Sequence, residues 1–283
     1  MNIVILAGGI SSRMKNIQSV TSSVSAEVVK EAQTKSKGMI SVGDRPFLDY
    51  LLSNAQAAGI RNVVLLVGER DNSIREYYQS QANDREFPLL KIAYAVQPIP
   101  AGRAKPFGTA DALMHALYAV PAWRGRSFIV CNSDNLYSVR AMELLTTDQH
   151  PNALIDYDRS ALKFDQSRIS AFAVLKKSAE GFLEDIIEKP SAHEIQSATG
   201  LSGRVGVSMN IFKFQYDDIL PKLEAAPLHA VRQEKELPEA VRMLVREKPS
   251  SVFTIPLAEH VPDLTSPDDI LRVRQELQES IRR

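Results

Sequence analysis

Several features that often decide the class of a protein are missing from this sequence. Its 283 residues include one cysteine, Cys131, so no intramolecular disulfide framework can form, and the apolar neighbours of Cys131 predict a buried strand residue rather than a nucleophile. No apolar run approaches the ~18 residues that span a membrane, and the N-terminus has no basic start of a signal peptide. Positive charge is not in excess either, because 34 Lys and Arg residues balance 34 Asp and Glu residues. These absences predict a cytoplasmic protein that binds neither nucleic acid nor membranes.

The first apolar stretch, residues 3–7, runs without interruption into a short basic loop. Five consecutive apolar residues predict a buried central strand of a parallel sheet. Gly8 and Gly9 allow the backbone to approach a ligand closely, and Arg13 and Lys15 add positive charge. Open α/β sheets bind nucleotides at the carboxyl ends of their strands, so this loop is a candidate phosphate site. An ordinary strand-to-helix turn is the alternative.

The second candidate site is the stretch 97–113, which is rich in proline and glycine. These residues predict a rigid loop after a strand, with a helix that begins at Gly108 or Thr109. The side chain of Gln97 can both donate and accept hydrogen bonds, as the reading of a base edge requires. A rigid loop that starts a helix and binds no ligand is the alternative.

An aspartate follows the apolar strand that is predicted over residues 128–131. Asp134 stands just beyond the end of this strand, where two interpretations compete. Its carboxylate is a suitable ligand for Mg²⁺, or it caps a helix that begins near Val139. The position at the carboxyl edge of a buried strand favours the metal ligand.

These motifs resemble, in chain order, those of the sugar-1-phosphate nucleotidylyltransferases. Residues 6–14 are similar to the opening signature L-A-G-G-x-G-[ST]-R-[ML], with Ser11 in place of the third glycine. The second signature, [PS]-K-x-[LM]-[LI]-x-[VI]-x-x-[KR]-P, places Lys37 at its lysine position, and Lys35 is the competing candidate. Residues 97–113 combine Q-P-x-P-x-G-x-A-x-x-F, seen in glucose-1-phosphate thymidylyltransferases, with the broader form G-T-A-x-A.

Later motifs resemble the family more weakly. Residues 183–190 are similar to its strand ending in E-K-P, for which a surface salt bridge is the alternative. Residues 206–214 match the position of N-x-G-I-Y-x-F, with Asn210 where glycine is usual. Residues 261–269 resemble W-x-D-[IVT]-G-T-P-x-[DE] without its tryptophan and its glycine.

The resemblance implies a role for each matching residue. Glycines and basic residues of the opening loop would hold the departing phosphates, and the lysine of the second signature would neutralise charge around the α-phosphorus. The implied catalytic residues are Arg13, Lys37 and Lys189; the nucleotide-binding residues are Leu6, Gly8, Gly9, Gln97, Gly102, Gly108 and Thr109; the sugar-binding residues are Glu188 and Asn210; the Mg²⁺ ligands are Asp134 and Asp263.

The segment between Arg13 and Lys37 is longer than in the family, so residues 16–34 form an insertion. Its first part is rich in Ser, Thr and Val without a clear period, and residues 26–34 predict a short helix. A mobile surface insertion and a lid over the phosphates are both compatible with this composition.

The alternation of strands and helices predicts an α/β fold, and the resemblance specifies a Rossmann-like, mostly parallel central sheet flanked by helices, the nucleotide-diphospho-sugar transferase fold. We expect one domain over residues 1–283, with a nucleotide-binding part in 1–150. Residues 151–283 would form a β-rich sugar-binding part and a C-terminal helix. The expected strands are 62–68, 91–96, 128–131, 153–157, 169–176, 182–188, 206–214 and 252–256, and the expected helices are 47–58, 71–81, one from 237, and 268–282.

The implied activity is the Mg²⁺-dependent synthesis of an NDP-sugar and pyrophosphate from an NTP and a sugar-1-phosphate. Gln97 and the proline-rich loop favour dTTP or UTP, and a homo-oligomer is compatible with the sequence. One alternative is a glycosyltransferase with an NDP-sugar donor, for which residues 132–134 resemble a D-x-D motif. Arg13 and Lys37 argue against it, because such a donor has no γ-phosphate to neutralise. The other alternative is a catalytically inactive regulatory relative, which the replaced motif residues suggest.

Overall fold

A computed structural model describes residues 1–9, 35–79, 86–200 and 203–281. Its first part contains the elements β1 (Asn2–Leu6), β2 (Ser41–Val42), β3 (Arg45–Pro46), α1 (Phe47–Ala57), β4 (Asn62–Gly68), α2 (Ser73–Tyr78), β5 (Lys91–Gln97), α3 (Thr109–Ala119), β6 (Ser127–Asn132) and α4 (Val139–Thr147). Its second part contains β7 (Asn152–Asp158), α5 (Gln166–Ile169), β8 (Val174–Lys177), β9 (Leu183–Ile187), α6 (Ala192–Ser197), β10 (Gly206–Val207), β11 (Ile211–Gln215), α7 (Tyr216–Ala225), α8 (Leu237–Glu247), β12 (Val252–Leu257) and α9 (Pro267–Ile281).

One ten-stranded sheet in the order β5-β4-β1-β6-β11-β7-β10-β8-β9, with β12 paired to β7, joins both parts of the chain. The pairings orient β5, β4, β1, β6, β7, β12 and β8 in one direction, and β11, β10 and β9 in the other. The predicted α/β fold with a mostly parallel sheet is therefore confirmed. Strand β1 pairs in parallel with β4 on one side and with β6 on the other, so it is a central strand as expected.

The core consists of two hydrophobic clusters, one on each face of the sheet, because successive side chains of a strand point to opposite faces. Ile3 and Ile5 join α1, α4 and α9 on one face. Val4 and Leu6 join α3, α7 and α8 on the other. Both clusters combine residues from 1–150 with residues from 151–283, so the two halves of the chain share their core.

Most predicted elements of the first half lie where the pattern placed them. Strand β4 has the predicted bounds, and α1 ends just before Gly59, whose φ of 81° is the left-handed conformation that glycine favours after a helix. The helix predicted over 71–81 is shorter in the structure, since α2 covers Ser73–Tyr78 and residues 80–85 lie outside the described part. The predicted insertion at 16–34 also lies outside it.

Two predictions for the second half are wrong. The single strand expected over 206–214 is two strands, β10 and β11, because Asn210 takes a left-handed φ of 58° that an extended strand does not accommodate. The strand expected from residue 169 begins at Val174. Ile169 belongs instead to the short helix α5, where its N–H donates to the carbonyl of Asp165 at 3.0 Å.

The carboxyl ends of β1, β5 and β6 lie at one edge of the sheet, as the parallel pairing requires. This edge is where open α/β sheets place their ligands. In the described residues, no helix has the length and apolar character needed to span a bilayer.

Candidate active site

A cavity of about 600 Å³ opens at this edge of the sheet. Ten predicted site residues line it: Leu6, Gly8, Gly9, Lys37, Gln97, Gly108, Thr109, Asp134, Glu188 and Asn210. Three further predicted residues, Gly102, Lys189 and Asp263, are not among its lining residues, and Arg13 lies outside the described part of the chain. The structure thus gathers residues from both halves of the chain around one space.

The end of β1 forms the floor of the cavity. The backbone just beyond this strand is held by the N–H of Ala7, which donates to the carbonyl of Leu66 at 2.8 Å. A Cβ on Gly8 would lie 3.2 Å from backbone atoms of Val67 and Gly68, tighter than ordinary van der Waals contact. A glycine at this position therefore lets the loop that follows β1, called the first loop below, pass close to the end of β4.

Lys37 and Asp134 form an ion pair within the cavity wall. The Lys37 ammonium lies 2.7 Å from Oδ2 of Asp134, and 17% and 24% of the two side chains are exposed. Asp134 does not cap α4, because the hydroxyl of Ser138 accepts the N–H of Ala141 at 3.0 Å and serves as the N-cap. The alternative interpretation of Asp134 as a helix cap is therefore wrong.

The end of β5 and the loop that follows it form another side of the cavity. The Gln97 side chain, only 3% exposed, donates through Nε2 to the carbonyl of Gly108 and to Oδ2 of Asp111, both at 2.8 Å. Gly108 has a φ of 98° and begins α3 as its N-cap residue. The hydroxyl of Thr109 accepts the N–H of Leu237 at 2.9 Å, so the start of α3 is tied to the start of α8.

Glu188 and Asn210 line the opposite wall. Glu188 follows β9, and its Oε2 accepts a hydrogen bond from the Arg232 guanidinium at 2.8 Å. The turn that carries Asn210 is held by the Tyr137 hydroxyl, which donates to the carbonyl of Met209 at 2.6 Å. Lys189, next to Glu188, is exposed and has a left-handed φ of 48°.

Asp263 lies directly behind Asp134. The N–H of Leu264 donates to the carbonyl of Asp134 at 2.8 Å, and Asp263 forms a backbone bridge with Asn135. The Asp263 carboxylate is held by Arg168, with 2.5 Å between Oδ2 and the guanidinium. Burial raises the pKa of Asp263 to about 6, the Asp134 charge adds to this rise, and Arg168 opposes it.

The donor set of Asp134 and Asp263 fits a magnesium ion. Both are hard carboxylate ligands, and their mutual repulsion, which contributes to the raised pKa of Asp263, is what a divalent cation relieves. Among the described residues, no group of three or more His, Cys, Asp or Glu side chains is arranged to hold a metal ion. The two aspartates would therefore share the ion with the phosphates of a substrate, as is common for Mg²⁺.

Sequence patterns did not identify one wall of the cavity. The segment between α7 and α8 contributes Arg232, Glu234 and Glu236 to the cavity, and Lys105 faces it from the loop after β5. Arg232 pairs with Glu236 as well as with Glu188, and Lys105 pairs with Glu234. Burial raises the pKa of Glu236, and the nearby Glu188 adds to the rise. The feature of the sequence that marks this wall is the run of alternating charges at 232–236. Sequence patterns alone do not distinguish such a run from a solvated loop.

The described lining is not positive overall. It carries three cationic side chains, Lys37, Lys105 and Arg232, and four carboxylates, Asp134, Glu188, Glu234 and Glu236. Each of these cations is paired with a carboxylate. A polyanionic ligand would therefore require a metal ion or the basic residues of the first loop to neutralise it.

A mixed, mostly parallel sheet with a glycine-rich strand end and two carboxylates at its carboxyl edge defines a nucleotide-binding α/β enzyme. A model of the nucleotidyl transferase family matches residues 2–280, and the chain belongs to this family. The predicted family resemblance is thereby confirmed. The family generally depends on a divalent metal.

Relatives of known function include transferases for three different nucleotides. The chain is 23% identical over 180 residues to glucose-1-phosphate adenylyltransferase from Koribacter versatilis. The aligned region covers 62% of this chain and 42% of that protein. It is 25% identical over 169 residues to D-glycero-α-D-manno-heptose 1-phosphate guanylyltransferase from Campylobacter jejuni, covering 60% of this chain and 55% of that protein. The matches therefore span about half the length of these two relatives.

Another relative matches from end to end. UTP–glucose-1-phosphate uridylyltransferase AglF from Haloferax volcanii is 23% identical over 283 residues, which covers 99% of this chain and 97% of that protein. Among solved structures, UDP-glucose pyrophosphorylase complexed with UDP-glucose superimposes with a TM-score of 0.71 at 15% identity, over 99% of this chain and 98% of that one. At this identity the structural match establishes the shared fold.

Proposed function

We propose that the protein transfers a nucleotidyl group from an NTP to a sugar-1-phosphate, which yields an NDP-sugar and pyrophosphate. The observation that carries the proposal is the shared cavity. It joins the Gly8–Gly9 strand end, the Gln97 loop and Asp134 to Glu188 and Asn210 from the other half of the chain. Two substrates that must meet at one phosphorus atom require such a space between two binding walls. The activities named for the relatives support the same reaction class.

The reaction is a substitution at the α-phosphorus of the NTP. An oxygen of the sugar phosphate forms a bond to this phosphorus while the bond to the bridging oxygen of the β-phosphate breaks. Pyrophosphate leaves with that oxygen and its electron pair. No covalent protein intermediate is needed, so the protein contributes position and neutralisation of charge.

We assign the roles of the individual residues as the family resemblance implies them. Gly8 and Gly9 would hold the departing phosphates through their backbone, together with Arg13. Lys37 would neutralise charge around the α-phosphorus once its contact with Asp134 is exchanged, and Lys189 would hold the sugar phosphate. Asp134 and Asp263 would hold Mg²⁺, which supplies electrostatic stabilisation of the phosphate oxygens when bound.

The hydrogen bonds of Gln97 determine which of its atoms can contact a base. Both hydrogens of its Nε2 are donated within the protein, to Gly108 and Asp111, which leaves Oε1 as the atom that can accept from a ligand. The N3–H of uracil or thymine can donate to this acceptor, although the other bases also carry N–H donors. Together with the resemblance of residues 97–113 to the thymidylyltransferase motif, this contact supports our proposal of UTP or dTTP as the nucleotide. The cytoplasmic location remains a prediction from the sequence.

Pyrophosphate release tests the reaction. The protein is incubated with Mg²⁺, each of several NTPs and dTTP, and several sugar-1-phosphates, and pyrophosphate is measured with both substrates and with each one alone. We expect release only when both are present, with the highest rate for UTP or dTTP. Transfer of a sugar from an NDP-sugar donor, without pyrophosphate release, would identify a glycosyltransferase. Nucleotide binding without either reaction would identify an inactive regulatory relative.

A further inference from the structure

Arg168 connects the predicted metal site to the start of the last helix. Its guanidinium lies between two aspartates, with one terminal nitrogen 2.5 Å from Oδ2 of Asp263 and the other 2.7 Å from Oδ1 of Asp269. Both carboxylates are almost fully covered, since 11% and 4% of the side chains are exposed. The guanidinium also lies over the ring of Phe164, 4.4 Å from its centroid. Arg168 is thus fixed from three sides.

The second aspartate of this arrangement is itself anchored. Oδ2 of Asp269 accepts the N–H groups of Thr265 at 3.0 Å and Ser266 at 2.8 Å. It therefore shapes the turn between Asp263 and α9, the region where the sequence has lost the glycine of the family motif. Through Arg168, this turn is connected to α5, which is distant in the sequence.

The contacts of Asp263 leave one of its oxygens less occupied. Arg168 binds Oδ2, and the Thr265 hydroxyl lies 3.0 Å from both carboxylate oxygens. Among the described residues, Oδ1 therefore has only the Thr265 hydroxyl as a partner, which can rotate, whereas Oδ2 also has a charged, nearly fixed partner. A planar guanidinium that spans two carboxylates fixes orientation in a way that a lysine ammonium does not.

We propose that Arg168 is a positioning residue of the metal site, which holds Asp263 by Oδ2 and Asp269 by its other nitrogen so that Oδ1 remains available to a divalent cation beside Asp134. This inference rests on the proposed function, because it assumes that Asp263 binds the ion. Groups that orient a metal ligand commonly change metal affinity by about 10- to 100-fold when they are removed. Arg168 does not contact substrate in this role.

The test measures metal binding without turnover. Mn²⁺ is the probe, because it accepts the same oxygen ligands as Mg²⁺ and its free form is quantified by electron paramagnetic resonance. The protein is titrated with Mn²⁺ in the presence of UTP and the absence of a sugar phosphate. The principal variant is Arg168→Lys. Lysine keeps the positive charge but lacks the planar guanidinium that contacts both carboxylates, so the variant separates the effect of orientation from that of charge. Arg246→Lys, at an arginine on α8 that is 65% exposed, is the matched control.

We expect Arg168→Lys to raise the Kd for Mn²⁺ about tenfold and Asp269→Asn to raise it by a smaller factor, whereas Arg246→Lys leaves it unchanged. In an Asp263→Asn background, Arg168→Lys should change the Kd by less than about twofold, because the residue acts through Asp263. Circular dichroism and UTP binding in EDTA report whether the fold and the nucleotide site are intact.

Two results would overturn the proposal: wild-type Mn²⁺ affinity in Arg168→Lys, or an equally large loss in the Asp263→Asn background. If Arg168→Lys does not fold, Asp269→Asn decides, and wild-type affinity in that variant overturns the proposal. If Asp134→Asn and Asp263→Asn both bind Mn²⁺ normally, the metal assignment within the proposed function is wrong. Pyrophosphate release by the unchanged protein reports separately on the reaction itself.

Discussion

Lys37 and Asp134, which are 97 positions apart in the chain, meet at 2.7 Å in the cavity wall. The sequence suggested a catalytic role for Lys37 and a Mg²⁺-ligand role for Asp134, and no contact between them. In the structure, each side chain neutralises the other in a partly buried place, where an unpaired charge is costly. A cation that binds Asp134 would compete with the Lys37 ammonium and leave it available to a phosphate. The ion pair thus places both groups within reach of the same ligand atoms.

Replacement of Lys37 by alanine should lower kcat by about 10² or more, the scale of losing one aimed electrostatic group. Lys35→Ala is the control, because Lys35 is exposed and is not among the cavity-lining residues. Initial rates of pyrophosphate release, measured at saturating NTP and sugar-1-phosphate, give kcat for both variants. Equal and mild losses in the two variants would contradict the assignment of Lys37.

Gly108→Ala should weaken nucleotide binding. The residue has a left-handed φ of 98°, and a Cβ there would lie 2.8 Å from the carbonyl oxygen of Lys235 and 2.9 Å from Cβ of Glu234. The loop after β5 would have to separate from the segment before α8, and we expect KM for the NTP to rise about tenfold, or 1.4 kcal/mol.

Gly125→Ala is the matched control for this variant. Gly125 also has a left-handed φ, 72°, but a Cβ there would meet no atom within 4 Å. The control variant should lose about 1 kcal/mol of stability through backbone strain alone. Its KM for the NTP should change by less than about threefold. A similar KM in both variants would show that the contact with the 234–235 segment does not hold the nucleotide loop.

At the scale of elements, α1 and α2 are joined by a buried carboxylate. Asp49 of α1 is fully buried and accepts the hydroxyls of Tyr77, at 3.0 Å, and of Tyr78, both on α2. Burial raises the pKa of Asp49, and the two tyrosine hydrogen bonds oppose this rise. Because the folded-state pKa is above the unfolded value, the contribution of Asp49 to stability falls as the pH rises through that raised pKa.

Tyr78→Phe should lower the free energy of unfolding by about 2 kcal/mol at pH 7, since it removes one donor to a buried carboxylate. The loss should be smaller at pH 4, where a larger fraction of Asp49 is protonated. Tyr118→Phe is the control, because the Tyr118 hydroxyl donates to Glu224 at 2.6 Å on the surface, and its effect should stay within about 0.5 kcal/mol. Urea unfolding at both pH values gives the comparison, and equal losses in the two variants would contradict it.

At the scale of the whole molecule, charge is balanced overall, and the described cavity lining has one more carboxylate than cations. The chain has 34 basic and 34 acidic residues, so no global field attracts an anion. The described cavity lining has three cations and four carboxylates, all three cations being paired. Binding of a polyanionic nucleotide would therefore require charge from a metal ion or from the basic residues Arg13 and Lys15 that follow β1 in the sequence.

Removal of divalent metal should weaken NTP binding by about tenfold or more, which corresponds to at least 1.4 kcal/mol. Isothermal titration with the preferred NTP, in Mg²⁺ and in EDTA, measures this difference. The matching nucleoside has no phosphates to repel the carboxylates, so EDTA should leave its affinity unchanged. Equal NTP affinity in Mg²⁺ and EDTA would contradict the role of the metal in substrate binding.

The sequence alone determined the framework and many of the cavity residues. Strands β1 and β4, and the end of α1 before Gly59, follow from apolar periodicity and from glycine conformation, which are properties of neighbouring residues. The glycines after β1 and the aspartate after β6 could be recognised because the carboxyl ends of parallel strands meet at one edge. The later motifs, with Glu188 and Asn210, could be assigned to the same site through the resemblance to the family.

Only the tertiary structure decided which loops close the site and which charges meet there. The pairing of Lys37 with Asp134, the bridge from Asp263 through Arg168, and the wall formed by residues 232–236 join segments with no periodic pattern. The break between β10 and β11 likewise depends on a left-handed Asn210 that is fixed by a distant tyrosine. Such contacts arise between irregular segments that are brought together only when the sheet has formed, so local sequence patterns carry no signal for them.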